Sequence, residues 1–299
     1  MKIAPKVSVL IPTYNYAHYL GEAIKSVLDQ TFSDFELIIV DDRSNDNTTE
    51  VVQKFLSDSR VSFYVNATNV GLVRNFNRCL DYATGDYIKF LMADDIFHVN
   101  LLEKYVAIME QFPSVSLITA YRKFFGLHAE KKQEYPPFTH LQEGKKIIYE
   151  SLNSHNWIGE PTTVMFRRSN LHIGNFNTNY SWIPDWEMWI RQLTLGDCYI
   201  IPETLSYFRQ HDGQASVALT KNYRRFFEEY NFFKNIQRNN KYNFDLSKIS
   251  IDKIIKKKAT ICSRSAIKLI PKLFSNKYNR QLFFQGMKLT VQEKVFFGL

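Results

Sequence analysis

Phe90-Leu-Met-Ala-Asp94-Asp95-Ile96 carries an apolar strand, expected over 87–92, into two adjacent carboxylates. Acidic side chains are poor strand formers and costly to bury unpaired. At a strand end such a pair faces a cation, and hard divalent ions such as Mg²⁺ and Mn²⁺ prefer carboxylate oxygens. A second acidic pair, Asp41-Asp42, ends the apolar run 35–40. In an open α/β sheet, ligands bind beyond the carboxyl ends of the strands. Two acidic strand ends so early in the chain predict one site for a metal and a polar, phosphorylated ligand.

The flanking sequence alternates between two periods. Residues 7–12 and 61–65 read as strands, as do 115–120, 161–166 and 198–201. Tyr19, Leu20, Ala23, Ile24, Val27 and Leu28 recur at helical spacing, and further helices are expected over 45–56, 73–83, 100–111 and 185–195. Gly85 separates a helix from the strand that follows it. Residues 124–144 show no periodicity, and Pro136-Pro137 marks a loop. Strands alternating with helices imply right-handed βαβ units and a mainly parallel sheet. Beyond about residue 220 the pattern is all helical. The expected division is therefore an α/β domain, 1–220, and a helical region, 221–299.

The net charge of +8 is unevenly spread over the 299 residues. Residues 221–299 carry 18 Lys and Arg against 5 Asp and Glu, a net +13, and the remainder carries −5. Such a tail seeks an anionic partner. Cys79, Cys198 and Cys262 have no metal-ligand spacing, and their odd number opposes a disulfide framework, so they read as buried thiols. No apolar run approaches the roughly 18–20 residues that span a bilayer. Met1-Lys-Ile-Ala-Pro-Lys6 lacks the apolar region of a secretion signal, and a cytoplasmic protein is expected. A G-x-G-x-x-G or Walker-type loop is absent, which disfavours a dehydrogenase or an NTPase.

Six segments, in order, resemble the inverting glycosyltransferases of family 2, which have the GT-A fold. They are Val7-Ser-Val-Leu-Ile-Pro-Thr-Tyr-Asn15, Gln30-Thr-Phe-Ser-Asp-Phe-Glu-Leu-Ile-Ile-Val-Asp-Asp-Arg-Ser44, Asn69-Val-Gly-Leu-Val-Arg-Asn75, Gly85-Asp-Tyr-Ile-Lys-Phe-Leu-Met-Ala-Asp-Asp95, Asp185-Trp-Glu-Met-Trp-Ile-Arg191 and Tyr207-Phe-Arg-Gln-His211. The resemblance covers about residues 6–217. It implies a Rossmann-like mixed sheet flanked by helices, extended at the C-terminus by helices. It also implies transfer of one sugar per encounter, because the Gln-x-x-Arg-Trp signature of polymerising relatives is missing.

Sugar transfer from a nucleotide-sugar needs neutralisation of the leaving diphosphate, a base for the acceptor hydroxyl, and a held nucleotide. The resemblance distributes these tasks. Asp95 becomes the direct ligand of Mn²⁺ or Mg²⁺, with Asp94 beside it and His211 completing the shell or touching phosphate. Asp42 contacts a uracil ring, Arg74 the base or diphosphate, and Arg209 a phosphate. Pro12, Thr13 and Tyr14 line the nucleotide. Asp185 is the general base, although Pro184 stands where the family has Glu, and Glu187 is the alternative base. Trp182, Trp186 and Trp189 lie nearby as candidate walls for the acceptor, with core packing the better account of Trp189.

The expected donor is a UDP-sugar. The expected acceptor is a glycan or lipid-linked sugar of a bacterial surface polysaccharide, capsule or lipopolysaccharide. Basic residues beside Tyr223, Phe226, Phe227, Tyr230, Phe233, Phe283 and Phe284 suit either an anionic membrane surface or helices packed on the body. The tail matches no nucleic-acid-binding motif. Two other readings remain at this point: an inactive scaffold that keeps the fold, and a nucleotidyltransferase, which would normally show a Gly-rich basic loop after the first strand.

Overall fold

The computed structural model describes residues 4–127, 129, 134–214, 223–272 and 277–293. They fall into two compact units. The first holds the chain up to Ser151, then His155–Asn179 and Pro184–Asp212. The second takes Leu152–Ser154, Tyr180–Ile183 and the chain from Gly213 on.

The first unit is built on a mixed sheet. Its strands are β1 (Val7–Thr13), β2 (Phe35–Asp41), β3 (Val61–Val65), β4 (Tyr87–Phe90), β5 (Ile96–Phe97), β6 (Val115–Gly126), β7 (His140–Gln142), β8 (Met165–Arg167) and β9 (Asp197–Gln210). The order is β3-β2-β1-β4-β8-β6-β9-β5, with β7 also paired to β9. β1 runs parallel to β2 and β4, β2 to β3, and β6 to β9. β8 is antiparallel to both β4 and β6, so it reverses direction twice and leaves β6 parallel to β4. β5 and β7 add two further antiparallel pairs. The sheet is thus mixed, with its longer pairings, around β1–β4 and between β6 and β9, parallel as expected. The arrangement brings the carboxyl ends of β1, β2, β4, β6 and β9 to one edge.

Every residue of β1 is buried, which explains its unbroken apolar run: helices cover both faces. Val7, Val9 and Ile11 join Leu37 and Ile39 against α1 (Ala17–Leu28) and α4 (Leu101–Gln111), through Leu20, Ile24, Leu102 and Tyr105. Phe76, Cys79 and Leu80 of α3 (Leu72–Tyr82) are buried too, and Phe76 stacks at a tilt on Phe90. Burying one such side chain contributes about 1.5–3 kcal/mol. α2 (Thr48–Gln53), α5 (Gly144–Asn153) and α6 (Pro184–Leu193) complete the unit. Gly85 marks a close approach as well as a helix end: a Cβ there would sit 2.6 Å from Ser8 N and 2.8 Å from Val7 C. Its own N–H donates to Ser8 Oγ at 2.8 Å, which sets β4 beside β1.

The second unit holds α7 (Arg224–Asn239), α8 (Ile251–Lys268) and α9 (Lys277–Gln292). Phe227, Tyr230, Phe232, Phe233 and Ile236 of α7 are buried, so this part of the aromatic run packs as core, one of the two readings the sequence left open. Gly286 of α9 lets that helix approach Ala266, where a Cβ would come within 2.4 Å of the alanine methyl. The three cysteines are buried free thiols. Among the described residues no helix is long and apolar enough to cross a membrane.

Candidate active site

β4 stops at Phe90, and Asp94-Asp95 lie in the turn that leads to β5. Helix α4 begins six residues beyond Asp95 with Asn100 at its N-cap, so the acidic pair caps no helix. The two carboxylates differ sharply. Asp95 is 1% exposed. Its Oδ2 accepts from Thr162 Oγ1 at 2.5 Å and its Oδ1 from the backbone N–H of Arg209 at 3.0 Å. Burial, reinforced by the neighbouring Asp94 charge, pushes its carboxyl well above the usual range. Asp94 instead places Oδ2 3.0 Å from Nε2 of His211, the residue just past β9. Tyr16 and Tyr19, at the start of α1, flank that imidazole at 5.7 and 4.8 Å.

Arg209 is held from several directions. Its Nε donates to the Asp94 carbonyl at 2.8 Å, and its Nη2 pairs with Glu22. The guanidinium lies between the rings of Tyr19 and Phe125, 4.5 and 4.3 Å from their centres. Behind the turn, Lys89 is wholly buried in β4. Its ammonium donates to the carbonyls of Phe90 and Thr162 and lies over Phe97, 4.6 Å from the ring centre. Thr162 Oγ1 also accepts the Met92 N–H at 3.2 Å. One threonine therefore ties Lys89, the turn and Asp95 together. Burial pushes the Lys89 ammonium well down, opposed by the charge of Asp95.

At the end of β2, Asp42 is 2% exposed. Its Oδ1 accepts from Asn66 Nδ2 and the Val70 N–H, and its Oδ2 from the Gly71 N–H, all at 2.8–2.9 Å. Asp42 thus fastens the loop that precedes α3. Arg74 is exposed on the first turn of α3. Pro12 and Thr13 are buried, Thr13 Oγ1 has no hydrogen-bond partner among the described residues, and Tyr14 is exposed. Asn15 takes a left-handed φ of 58° and accepts from the Asn45 N–H, joining this loop to the one after β2.

Asp185 lies half-buried in the first turn of α6, where its Oδ1 accepts from the Trp186 N–H at 2.8 Å. Burial pushes its carboxyl up to about 7, the Glu160 charge adding to the rise against that N–H. Glu187, the alternative base, is 1% exposed and both its oxygens accept from Arg191 Nε. Trp189 is core, packed on Phe166 and Phe176 with its N–H on the Gly159 carbonyl. Trp186 is buried and donates to Ser151, and Trp182 belongs to the second unit, where its N–H donates to Glu229.

Sequence reasoning missed Glu160, Thr162, Lys89, Tyr19 and Glu22. Thr162 and Glu160 sit outside every quoted motif, and their relation to the acidic pair arises only from folding.

Asp94 and His211 bring together a carboxylate oxygen and an imidazole nitrogen, donor types that a divalent ion accepts. Two adjacent ligands of an octahedral ion, each at about 2.0–2.1 Å, lie about 3.0 Å apart. Asp94 Oδ2 and His211 Nε2 share a hydrogen bond of that length, 3.0 Å. Among the described residues no group of three or more His, Cys, Asp or Glu is placed to hold a metal. A two-residue cradle suits an ion whose remaining ligands are substrate phosphates and water.

The profile described as "Glycosyl transferase family 2" matches residues 8–173. An "Uncharacterized protein MT1568" of Mycobacterium tuberculosis is 31% identical over 69% of this chain and 67% of its own length. An E. coli protein, "UDP-Glc:alpha-D-GlcNAc-diphosphoundecaprenol beta-1,3-glucosyltransferase WfgD", is 42% identical over 34% of this chain and 40% of its own. Among solved structures, S. aureus TarS in complex with UDP-GlcNAc superposes with a TM-score of 0.70 at 19% identity, over 96% of this chain and 81% of that one. The mannosyltransferase PcManGT from Pyrobaculum calidifontis, in complex with GDP-Man and Mn²⁺, gives 0.60 at 16% identity, over 98% and 87%. These neighbours share the GT-A fold.

Proposed function

The chain belongs to glycosyl transferase family 2, whose members transfer sugars, and from that premise we propose a donor, an acceptor and residue roles. It moves one sugar, with inversion, from a UDP-sugar to a glycan or lipid-linked acceptor in bacterial surface-polysaccharide assembly. The observation that carries this reading is the Asp94–His211 pair at the carboxyl edge of the sheet, with oxygen and nitrogen 3.0 Å apart. The uridine is supported by WfgD, named for a UDP-Glc donor, and by TarS, crystallised with UDP-GlcNAc. The WfgD name also specifies a lipid-diphosphate acceptor.

Asp94 and His211 would hold Mn²⁺ or Mg²⁺, which would supply positive charge against the leaving diphosphate. This assignment moves the direct ligand from Asp95 to Asp94, because Asp95 is 1% exposed whereas Asp94 stands beside the imidazole of His211. Asp95 is then the anchor that joins the turn to β9. Arg209 holds the Asp94 carbonyl and the base of the turn, with Glu22 partnering its charge. Asp42 keeps acceptor capacity on Oδ2, which carries a single hydrogen bond, for a ring N–H of uracil. Pro12, Thr13 and Tyr14 line the nucleotide, and Arg74 reaches it from the first turn of α3. Asp185 takes the proton from the acceptor hydroxyl, and a carboxyl near 7 is well matched to that task. On the second unit, the exposed side of α9 and its lysines form a surface for an anionic membrane.

The test is calorimetry with UDP, dTDP and GDP, with and without Mn²⁺. UDP should bind best, with a requirement for the ion that Asp94→Asn removes and Asp95→Asn does not remove by the same route. Preference for dTDP or GDP would overturn the uridine assignment. Failure of every nucleotide to bind would overturn the transferase reading in favour of an inactive binding protein.

A further inference from the structure

The first unit contains a cavity of about 230 Å³ where β6 meets the segment 155–158 and residues 134–136. Its walls include Tyr121, Arg122, Glu134, Tyr135, His155 and Trp157. The rings of Tyr121 and Tyr135 lie 4.3 Å apart, and those of His155 and Trp157 3.7 Å apart. The register of β6 on β9 shifts on both sides of Tyr121. Such irregularities re-aim side chains and are common beside active sites. The cavity is smaller than the roughly 300–1,000 Å³ of pockets that enclose drug-sized ligands. It has room for one small ring and not for a nucleotide-sugar.

Its composition narrows the ring further. Aromatic faces are electronegative and receive the polarised C–H face of a pyranose, while charged groups at the rim take its hydroxyls. Arg122 and Glu134 supply that rim. The position links the cavity to the chemistry. Arg122 Nε pairs with Glu160 Oε2 at 2.9 Å, and Glu160 lies two residues before Thr162, whose hydroxyl donates to Asp95. A ring held beside Arg122 is thereby joined, through Glu160 and the segment ending at Thr162, to the turn that carries the acidic pair.

We infer that this cavity is the subsite for one pyranose ring of the acceptor. The inference rests on the transferase reading for the word acceptor, but the binding of a sugar ring does not depend on it.

The experiment is saturation-transfer NMR with the methyl glycosides of glucose, galactose, mannose and N-acetylglucosamine, on the wild type, Tyr135→Ala and Trp157→Ala. Calorimetry of the same three proteins with UDP, UDP-glucose and UDP-N-acetylglucosamine runs beside it. Tyr135 is 46% exposed, so its truncation leaves the fold intact even if Trp157→Ala does not. At least one glycoside should saturate on the wild type and weaken about tenfold in the variants, a usual size for loss of an aromatic anchor, with nucleotide affinities unchanged. The inference is overturned if no glycoside saturates, or if the signal survives both substitutions. It is also overturned if the variants weaken UDP-sugars relative to UDP, which would make the cavity a donor subsite. Absence of UDP binding would instead remove the transferase reading, and the glycoside signals would still decide whether the cavity takes a sugar.

Discussion

The Asp185 carboxyl sits in the first turn of α6, where burial lifts it to about 7. A base is active only when ionised, so kcat/KM should rise as pH rises through about 7 and level off above it. Asp185→Asn should abolish that limb and lower turnover by about 10²–10⁴-fold, with UDP affinity unchanged; a full rate in the variant would remove Asp185 from the reaction. Stability carries the opposite sign. A carboxyl with a raised folded-state value favours the fold below its unfolded value of about 3.9, and that advantage is lost as pH rises through about 7. The Asn variant should therefore gain urea resistance over the wild type at pH 8, with the difference closing toward pH 4. The roles of Asp94 and Asp95 show what sequence withholds at this scale. The pair was legible as acidic residues at a strand end. Their different hydrogen bonding was not, because Asp95 is held by Thr162 and Arg209, 67 and 114 positions away.

Elements with a clear period were legible close to their ends: the expected strand 61–65 is β3, and the helix 73–83 is α3 shifted by one residue. β5 and β7, of two and three residues, are too short to show any period. The continuation of β6 through Gly126 was hidden because its register slips around Tyr121, which breaks the alternation that announces a strand. The mixed character of the sheet was expected, while the antiparallel pairs of β5 and β7 were not individually legible. Gly85 was read as a helix end, whereas its position also needs the absence of a Cβ. Gly85→Ala should push β4 away from β1 and cost about 1–3 kcal/mol, the usual penalty of overpacking. A lower urea midpoint with an unchanged slope would show it, and an unaltered midpoint would mean that the β1–β4 junction yields without strain.

Over the whole molecule the charge is divided, with net −5 on residues 1–220 and +13 on 221–299. The buried aromatics of α7 count against that helix as a membrane face, and α9 carries an exposed apolar stripe. There Phe284, Met287 and Val291 are 67%, 38% and 79% exposed, at spacings of three and four that align them on one side. Lys288 is exposed beside them. An apolar stripe with basic neighbours can enter the headgroup region of an anionic bilayer, where each Lys or Arg near the surface contributes about 1 kcal/mol. The full chain should co-sediment with phosphatidylglycerol vesicles and far less with phosphatidylcholine. Because the attraction is screened, raising salt from about 0.05 to about 0.5 M should release much of it. Phe284→Asp combined with Val291→Asp removes the apolar part and adds repulsion at two exposed positions, so it should abolish sedimentation while UDP affinity stays unchanged. If the double variant still sediments at low salt, charge alone holds the chain to the vesicle and the stripe on α9 has no part in it. If the wild type does not sediment at all, the lysines of the second unit are simply its solvated surface.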